Sequence, residues 1–281
     1  MRILVTGGAG FIGSHIADAH FHEVDIRSEQ AADLIRSHRP DVIVHHAAQM
    51  DVRKSVADPR FDASVNVDGF LNLMEAGRES GLQKVVFAST GGAIYGEPEY
   101  VPQDESHPLQ PLSPYGITKL VTEKYLYFYQ QTHGIQYAAL RYGNIYGPRQ
   151  SPHGEAGVIA IFAEKMLDHQ QPVVNGDGLQ TRDYVFVGDV VQANLAALDH
   201  EESGIFNVGT GVETDVVTLF RTINEYTGGH TEEQHVAAKP GEQMRSVLSY
   251  AHTQQALGWE PQVSIADGLR TTVDWFKAQR G

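Results

Sequence analysis

Arg2-Ile3-Leu4-Val5-Thr6-Gly7-Gly8-Ala9-Gly10-Phe11-Ile12-Gly13 is the stretch that decides the fold. A short apolar run breaks into a glycine triplet and then opens a second patterned segment. It reads as strand, tight turn and helix start. Gly7 makes the turn, Gly10 lets backbone approach a pyrophosphate, and Gly13 lets helix and strand pack closely. The helix start offers N–H groups and a positive dipole end to phosphates. A glycine triplet alone is weak evidence. Directly after a strand and before a helix, it points to a dinucleotide-binding βαβ unit.

The rest of the chain extends that reading. Arg2–Thr6, Asp41–Val44, Lys84–Ser89 and Tyr137–Tyr142 are continuously apolar, the pattern of strands buried on both faces. Between them lie long helical stretches, roughly Arg60–Ser80 and Pro114–His133, the second with Ile117, Leu120, Val121, Tyr125 and Phe128 at helical spacing. The alternation predicts an α/β fold, a Rossmann-type doubly wound parallel sheet. Gly147-Pro148-Arg149 breaks the texture. A polar loop follows, then a helix near Val158–His169, a turn at Asn175-Gly176-Asp177-Gly178, a strand Asp183–Val187, a helix Val190–Leu198 and a closing helix Ile265–Lys277. We expect a Rossmann domain of residues 1–148 plus about 181–210, and a smaller mixed α/β substrate domain of about 149–180 plus 211–281.

The first βαβ unit is too short. Such a unit takes roughly 30 residues and places a ribose-binding acid about 20 residues past the loop. Here a helix Phe11–His20 runs straight into Phe21-His22-Glu23-Val24-Asp25, which reads as the end of a later strand. Neither the second strand nor the acid fits between His20 and Phe21. Roughly 25–30 residues are missing from this stretch, or the chain carries a true deletion that would cripple adenosine binding. An intact mass of 30.9 kDa for the expressed protein decides for the deletion.

Composition excludes several classes. The 281 residues are 41% hydrophobic and 20% charged, which is ordinary for a globular chain. No run reaches about 18 apolar residues, and the N-terminus turns to glycine too early for a signal peptide, so neither a membrane span nor export is expected. Without cysteine there is no disulfide, thiol nucleophile or zinc–thiolate site. The net charge of −14 argues against nonspecific nucleic-acid binding. A cytoplasmic location is the expectation. Of the 14 histidines, His45 and His46 fall at a strand end with side chains on opposite faces, and no His-Glu-x-x-His occurs, so no metal site is expected.

Ser113-Pro114-Tyr115-Gly116-Ile117-Thr118-Lys119 sets Tyr115 and Lys119 four apart on one helix face. A phenol is a poor base at its free pKa of about 10, and a neighbouring ammonium lowers that value. The pair can then take a proton from a substrate hydroxyl while hydride leaves the same carbon. Phe87-Ala88-Ser89-Thr90-Gly91-Gly92 ends another strand with hydroxyls at the carboxyl edge, where open α/β sheets bind ligands.

Together Thr6–Gly13, His46-Ala47-Ala48, Ser89-Thr90, Tyr115/Lys119, Arg141-Tyr142-Gly143-Asn144 and Thr181-Arg182-Asp183-Tyr184 resemble the extended short-chain dehydrogenase/reductase family, and within it the bacterial UDP-hexose 4-epimerase branch. The resemblance spans nearly the whole chain apart from the short connection. It implies bound NAD, with Tyr115 as base, Thr90 bonding the sugar 4-oxygen and Lys119 holding the nicotinamide ribose. It sets Gly7, Gly10, Phe11, Ile12 and Gly13 at the pyrophosphate, and Asp25-Ile26 beside adenine. Ala47, Ala48 and Gln49 run along the cofactor, with Asn66 in the following helix and Tyr142 near the nicotinamide. On the substrate side it implies Ser89, Thr90, Tyr115, Asn144, Val158, Arg182 for the diphosphate, and Lys239 and Glu242 within Lys239-Pro240-Gly241-Glu242. A guanidinium fork suits a diphosphate. Gly157 stands where many members carry asparagine, so no side-chain contact comes from there. Gly91-Gly92 replaces the acids that related 4,6-dehydratases and decarboxylases need after the hydroxyl residues. Ser246 falls at the gate beside the hexose, where a small residue leaves room for N-acetyl sugars. The aromatic helix Tyr125, Tyr127, Phe128, Tyr129 fits a homodimer formed through two long helices per subunit. The alternatives are another sugar-nucleotide enzyme of the family, such as a UDP-uronate 4-epimerase, or a noncatalytic NAD-binding protein.

Overall fold

The computed structural model describes residues 1–16, 21–153, 157–238 and 243–280. β1 (Ile3–Thr6) turns through the glycine loop into α1 (Gly13–Ile16), followed by α2 (Glu29–His38) and β2 (Val42–His45). Then come α3 (Val52–Ala57), α4 (Pro59–Ala63), α5 (Gly69–Ser80), β3 (Lys84–Thr90), α6 (Gly91–Ile94) and α7 (Pro114–His133). β4 (Gln136–Tyr142), β5 (Asn144–Tyr146), α8 (Val158–Leu167), β6 (Val174–Asn175), β7 (Thr181–Phe186), α9 (Val187–Asp199) and β8 (Gly204–Val208) continue the chain. β9 (Glu213–Asp215), α10 (Val216–Thr227), β10 (His235–Val236), α11 (Ala251–Leu257) and α12 (Ile265–Ala278) complete it.

The central sheet is parallel throughout, in the order β1-β2-β3-β4-β8. Every residue of β2 is buried, Val42, Ile43 and Val44 as the apolar run of an inner strand and His45 at its end against the Thr6 hydroxyl. On one face Ile43, Val85, Phe87 and Ala139 pack against Ile35 of α2, Leu73 and Met74 of α5, and Leu126 of α7. On the other, Val44, Val86, Ala138 and Leu140 meet Val190, Ala193 and Ala197 of α9 and Trp259. A separate apolar cluster joins α8, α10 and α12 through Phe162, Phe220 and Val273. β5, β7 and β9 form a small sheet beside it. Register aligns the strand ends: Thr6 pairs with His45 and Thr90 with Tyr142, so all four share the carboxyl edge.

Local chemistry explains α7. Ser113 caps it by accepting the Gly116 N–H, Pro114 fills the first turn, and Gly134 ends it in the left-handed conformation. The stretch read as one helix, Arg60–Ser80, is interrupted by a π turn at Ser64–Asp68 that carries Asn66. Periodicity does not register one extra residue per turn.

The start of the chain departs further from expectation. Phe21-His22-Glu23-Val24-Asp25 forms no strand: residues 21–25 are irregular, and Phe21 is exposed. Only Val24 and Ile26 of this region pack onto the core. The expected helix Phe11–His20 is regular over Gly13–Ile16, and residues 17–20 lie outside the described residues. Among the described residues, β1 pairs with β2 alone, so it is an edge strand with Ile3 42% exposed. Among the described residues the sheet therefore extends to one side of β1 only.

Candidate active site

A cleft of about 1270 Å³ runs across the carboxyl edge of the sheet to α8 and β6. Gly7, Gly10, Phe11, Ile12 and Gly13 form one end of its wall. Gly7 has φ +69°, and a Cβ there would lie 2.8 Å from the Ala47 nitrogen. A Cβ on Gly13 would lie 2.2 Å from the Gly7 carbonyl oxygen. Only glycine fits at either position, so the loop is built for close backbone approach. The Gly10 N–H donates to the Gly7 carbonyl at 2.9 Å and closes the turn.

Ala47, Ala48 and Gln49 line the same cleft. Thr6 Oγ1 accepts the Ala47 N–H at 3.1 Å and lies 2.8 Å from His45 Nδ1. Asn66 is buried and does not reach the cleft wall. It clamps the loop instead: its Oδ1 accepts the Gln49 N–H at 2.8 Å and its Nδ2 donates to the Gln49 carbonyl at 2.9 Å. Asp25 and Ile26 also stay off the wall. Asp25 binds Arg27 at 2.6 Å, and that hydrogen bond holds its carboxyl down at about 2. Ile26 packs over Gly69.

Thr90, Tyr115 and Lys119 converge on the centre of the cleft. Thr90 Oγ1 accepts the Ala93 N–H at 3.2 Å, which leaves its own proton to donate. Lys119 is buried. Its Nζ donates to the Ala88 carbonyl at 2.8 Å and stands 4.7 Å from the Phe87 ring and 5.7 Å from the Tyr115 ring. Burial lowers its pKa to about 8 against the pull of Asp62 and Glu123. Ser89 lines the cleft too, but its hydroxyl donates to Glu123 Oε1 at 2.6 Å, so toward a ligand it can only accept. Glu123 also takes two bonds from buried Arg141, at 3.0 and 2.7 Å, and Arg141 reaches Tyr95 at 2.9 Å.

Tyr142 and Asn144 stand on the wall, with Val158 and Arg182 further along. Arg182 donates one guanidinium N–H to the Thr181 carbonyl at 2.8 Å. A Cβ on Gly157 would lie 2.6 Å from Gln150 Nε2, so the Gln150 amide occupies the space a side chain at 157 would need. Ser246, expected as the gate, is buried behind the wall, and Gln243 faces the cleft. Lys239 and Glu242 lie outside the described residues.

Sequence reasoning missed His46, Gln150, Lys165 and Gln243, which all line the cleft. His46 stacks on Tyr142 with centroids 6.2 Å apart, and burial and Lys119 lower its pKa to about 3. Its place one residue before Ala47 was the available signal. No group of three metal-binding side chains occurs among the described residues, and no described helix is long and apolar enough to cross a membrane.

The chain belongs to the NAD dependent epimerase/dehydratase family, whose model matches residues 16–209. It is 45% identical to a protein of Methanocaldococcus jannaschii described as a putative UDP-glucose 4-epimerase, covering 98% of each. That alignment runs over 301 positions, against 281 residues here, so the relative carries at least 20 residues without a counterpart in this chain. A UDP-glucose 4-epimerase of Thermotoga maritima, solved with UDP-glucose, superposes with a TM-score of 0.97 at 43% identity over 100% of both chains. The Thermus thermophilus UDP-glucose 4-epimerase, solved with NAD, gives 0.90 at 43% identity over 99% of each.

Proposed function

We propose that this chain catalyses the NAD-dependent 4-epimerisation of a UDP-hexose, interconverting UDP-glucose and UDP-galactose through a transient 4-keto sugar. The observation that carries this reading is the meeting of Thr90, Tyr115 and Lys119 in one cleft with the glycine loop. The loop fits a dinucleotide, because a Cβ on Gly7 or Gly13 would collide with backbone. When bound there, NAD supplies the acceptor and donor of hydride at the sugar C4. Gly7, Gly10, Phe11, Ile12 and Gly13 hold its pyrophosphate, and Ala47, Ala48, Gln49 and Tyr142 flank it, with Asn66 fixing the loop and Asp25-Ile26 at the adenine end.

Tyr115 takes the proton of the 4-hydroxyl and later returns it. Lys119, dry and close to the Tyr115 ring, favours the phenolate. Thr90 donates to the 4-oxygen and fixes it against Tyr115. Asn144, Val158 and Arg182 bind the nucleotide sugar, with Ser89 as an acceptor. Ser246, buried behind the wall, is not the gate; Gln243 faces the cleft and is the residue of that stretch placed to decide whether N-acetyl sugars are accepted. Unchanged relative turnover of acetylated and plain sugars in Gln243→Tyr rejects that part. Ile117, Lys124 and Phe128 share one exposed stripe of α7, which supports a homodimer through the two long helices, read by light scattering. The cysteine-free chain suits a reducing cytoplasm.

Proton NMR of UDP-galactose with the purified protein and NAD tests the reading. UDP-glucose must appear and settle at a constant ratio. An unchanged spectrum, with protein shown to bind NAD, refutes it.

A further inference from the structure

We infer that Asp62, which does not touch the cleft, is the counter-charge of the catalytic lysine and a positioning residue for the reaction. Asp62 sits in α4 and is fully buried. Its Oδ1 accepts from Gln49 Nε2 at 2.9 Å and from Asn66 Nδ2 at 3.2 Å, and its Oδ2 accepts from Thr118 Oγ1 at 2.8 Å. It acts as acceptor in all three bonds, which is the behaviour of a carboxylate. A buried carboxylate needs an opposite charge or a full set of donors. None of the ion pairs among the described residues includes Asp62, nor does any include Lys119. Lys119 follows Thr118 directly on α7 and is buried, with its ammonium on the Ala88 carbonyl. Asp62 thus bonds the residue next to Lys119, and among the described residues neither buried charge has an ion-pair partner within 4.0 Å.

The remaining charged or titratable groups near Lys119 do not replace Asp62. Glu123, on the same helix, is consumed by Arg141 of β4 and by Ser89. His45 and His46 of β2 are kept neutral by burial and by Lys119 itself. Tyr115 is the group the ammonium serves. Burial drives the lysine toward shedding its proton, and Asp62 is the foremost charge opposing that loss. Because the same carboxylate accepts from Gln49 and Asn66, it also ties Thr118, the neighbour of the lysine on α7, to the loop along the cofactor site.

The inference rests on reading Tyr115 and Lys119 as the catalytic pair, so its test is read without turnover. The chain has seven lysines, few enough to follow singly by NMR of protein carrying ¹³Cε-lysine. The Lys119 signal is assigned by its loss in Lys119→Met. In Asp62→Asn the new amide can donate to Thr118 Oγ1, whose own proton still reaches the Tyr115 carbonyl at 3.0 Å. Its Lys119 midpoint should fall by about one pH unit, a tenfold weaker hold on the proton. Thr118→Val, which removes a bond and keeps the charge, should leave the midpoint in place. Equal midpoints in wild type and Asp62→Asn, or an equal fall in Thr118→Val, overturn the inference. If Asp62→Asn alone does not fold, Asp62→Asn/Lys119→Met decides. A true charge pair regains stability in the double variant, and failure to regain it overturns the pairing. Loss of epimerase activity in wild type would sink the functional reading and leave this titration intact.

Discussion

Glu123→Gln should unsettle the molecule far more than its isosteric shape suggests. Glu123 and Arg141 are 3% and 1% exposed, and the carboxylate takes three bonds. The amide keeps Oε1 as an acceptor for Ser89 at 2.6 Å and Arg141 Nε at 3.0 Å. It turns the atom 2.7 Å from Arg141 Nη2 into a second donor, so two donors face each other. Arg141 then becomes a buried cation with no anionic partner, held by the amide oxygen on Nε and by the Tyr95 hydroxyl on Nη1. Breaking a buried pair from one side costs about 3–5 kcal/mol. At roughly 2–3 °C per kcal/mol for a chain of this size, the melting temperature should drop by about 6–15 °C. Circular dichroism melts at pH 7 measure it. Glu123→Leu/Arg141→Met should recover part of the loss, because no uncompensated charge is left. A Glu123→Gln protein melting within about 2 °C of wild type would show that the pair is not the water-excluded unit described, and the argument fails.

Tyr115→Phe should lose roughly 10²–10⁴-fold in turnover of UDP-galactose while still binding NAD, as followed by the NMR assay and by cofactor fluorescence. Gly13→Ala should abolish NAD binding in a direct titration with the fold retained, because its Cβ would lie 2.2 Å from the Gly7 carbonyl oxygen. His45 and His46 have folded pKa values of about 3, lowered from 6.5 chiefly by burial. The unfolded chain therefore binds more protons in that window, and stability present above pH 6.5 is lost as pH falls toward 3. His46→Phe should flatten the decline of melting temperature between those limits, and an unchanged slope counts against a buried neutral imidazole at 46.

The legible parts were those written in contiguous residues. The glycine loop, the capped helix Pro114–His133 and the hydroxyl-ended strand Lys84–Thr90 each announce themselves through local pattern. What stayed hidden depends on long-range assembly. Asp62 meets Thr118 across 56 positions, and Arg141 meets Tyr95 across 46. No periodicity encodes which buried polar groups will share a proton or a charge. Gln150 was invisible for the same reason, since its role appears only once α8 brings Gly157 against it. Asn66 was read from the family resemblance as a cofactor contact and is found one layer behind the cleft, bracing Gln49. The short connection after His20 was visible as a shortfall of length, and the single-sided pairing of β1 agrees with it.

That pairing has a consequence for handling the protein. A first strand whose outer rim meets no neighbour among the described residues offers a row of amides and carbonyls to any extended chain that arrives. The exposed Ile3 adds an adhesive side chain on that strand. Concentrated samples should therefore stick rim to rim before they unfold, at a rate that rises with concentration and leaves the cleft untouched. A purification that watches activity alone would miss it.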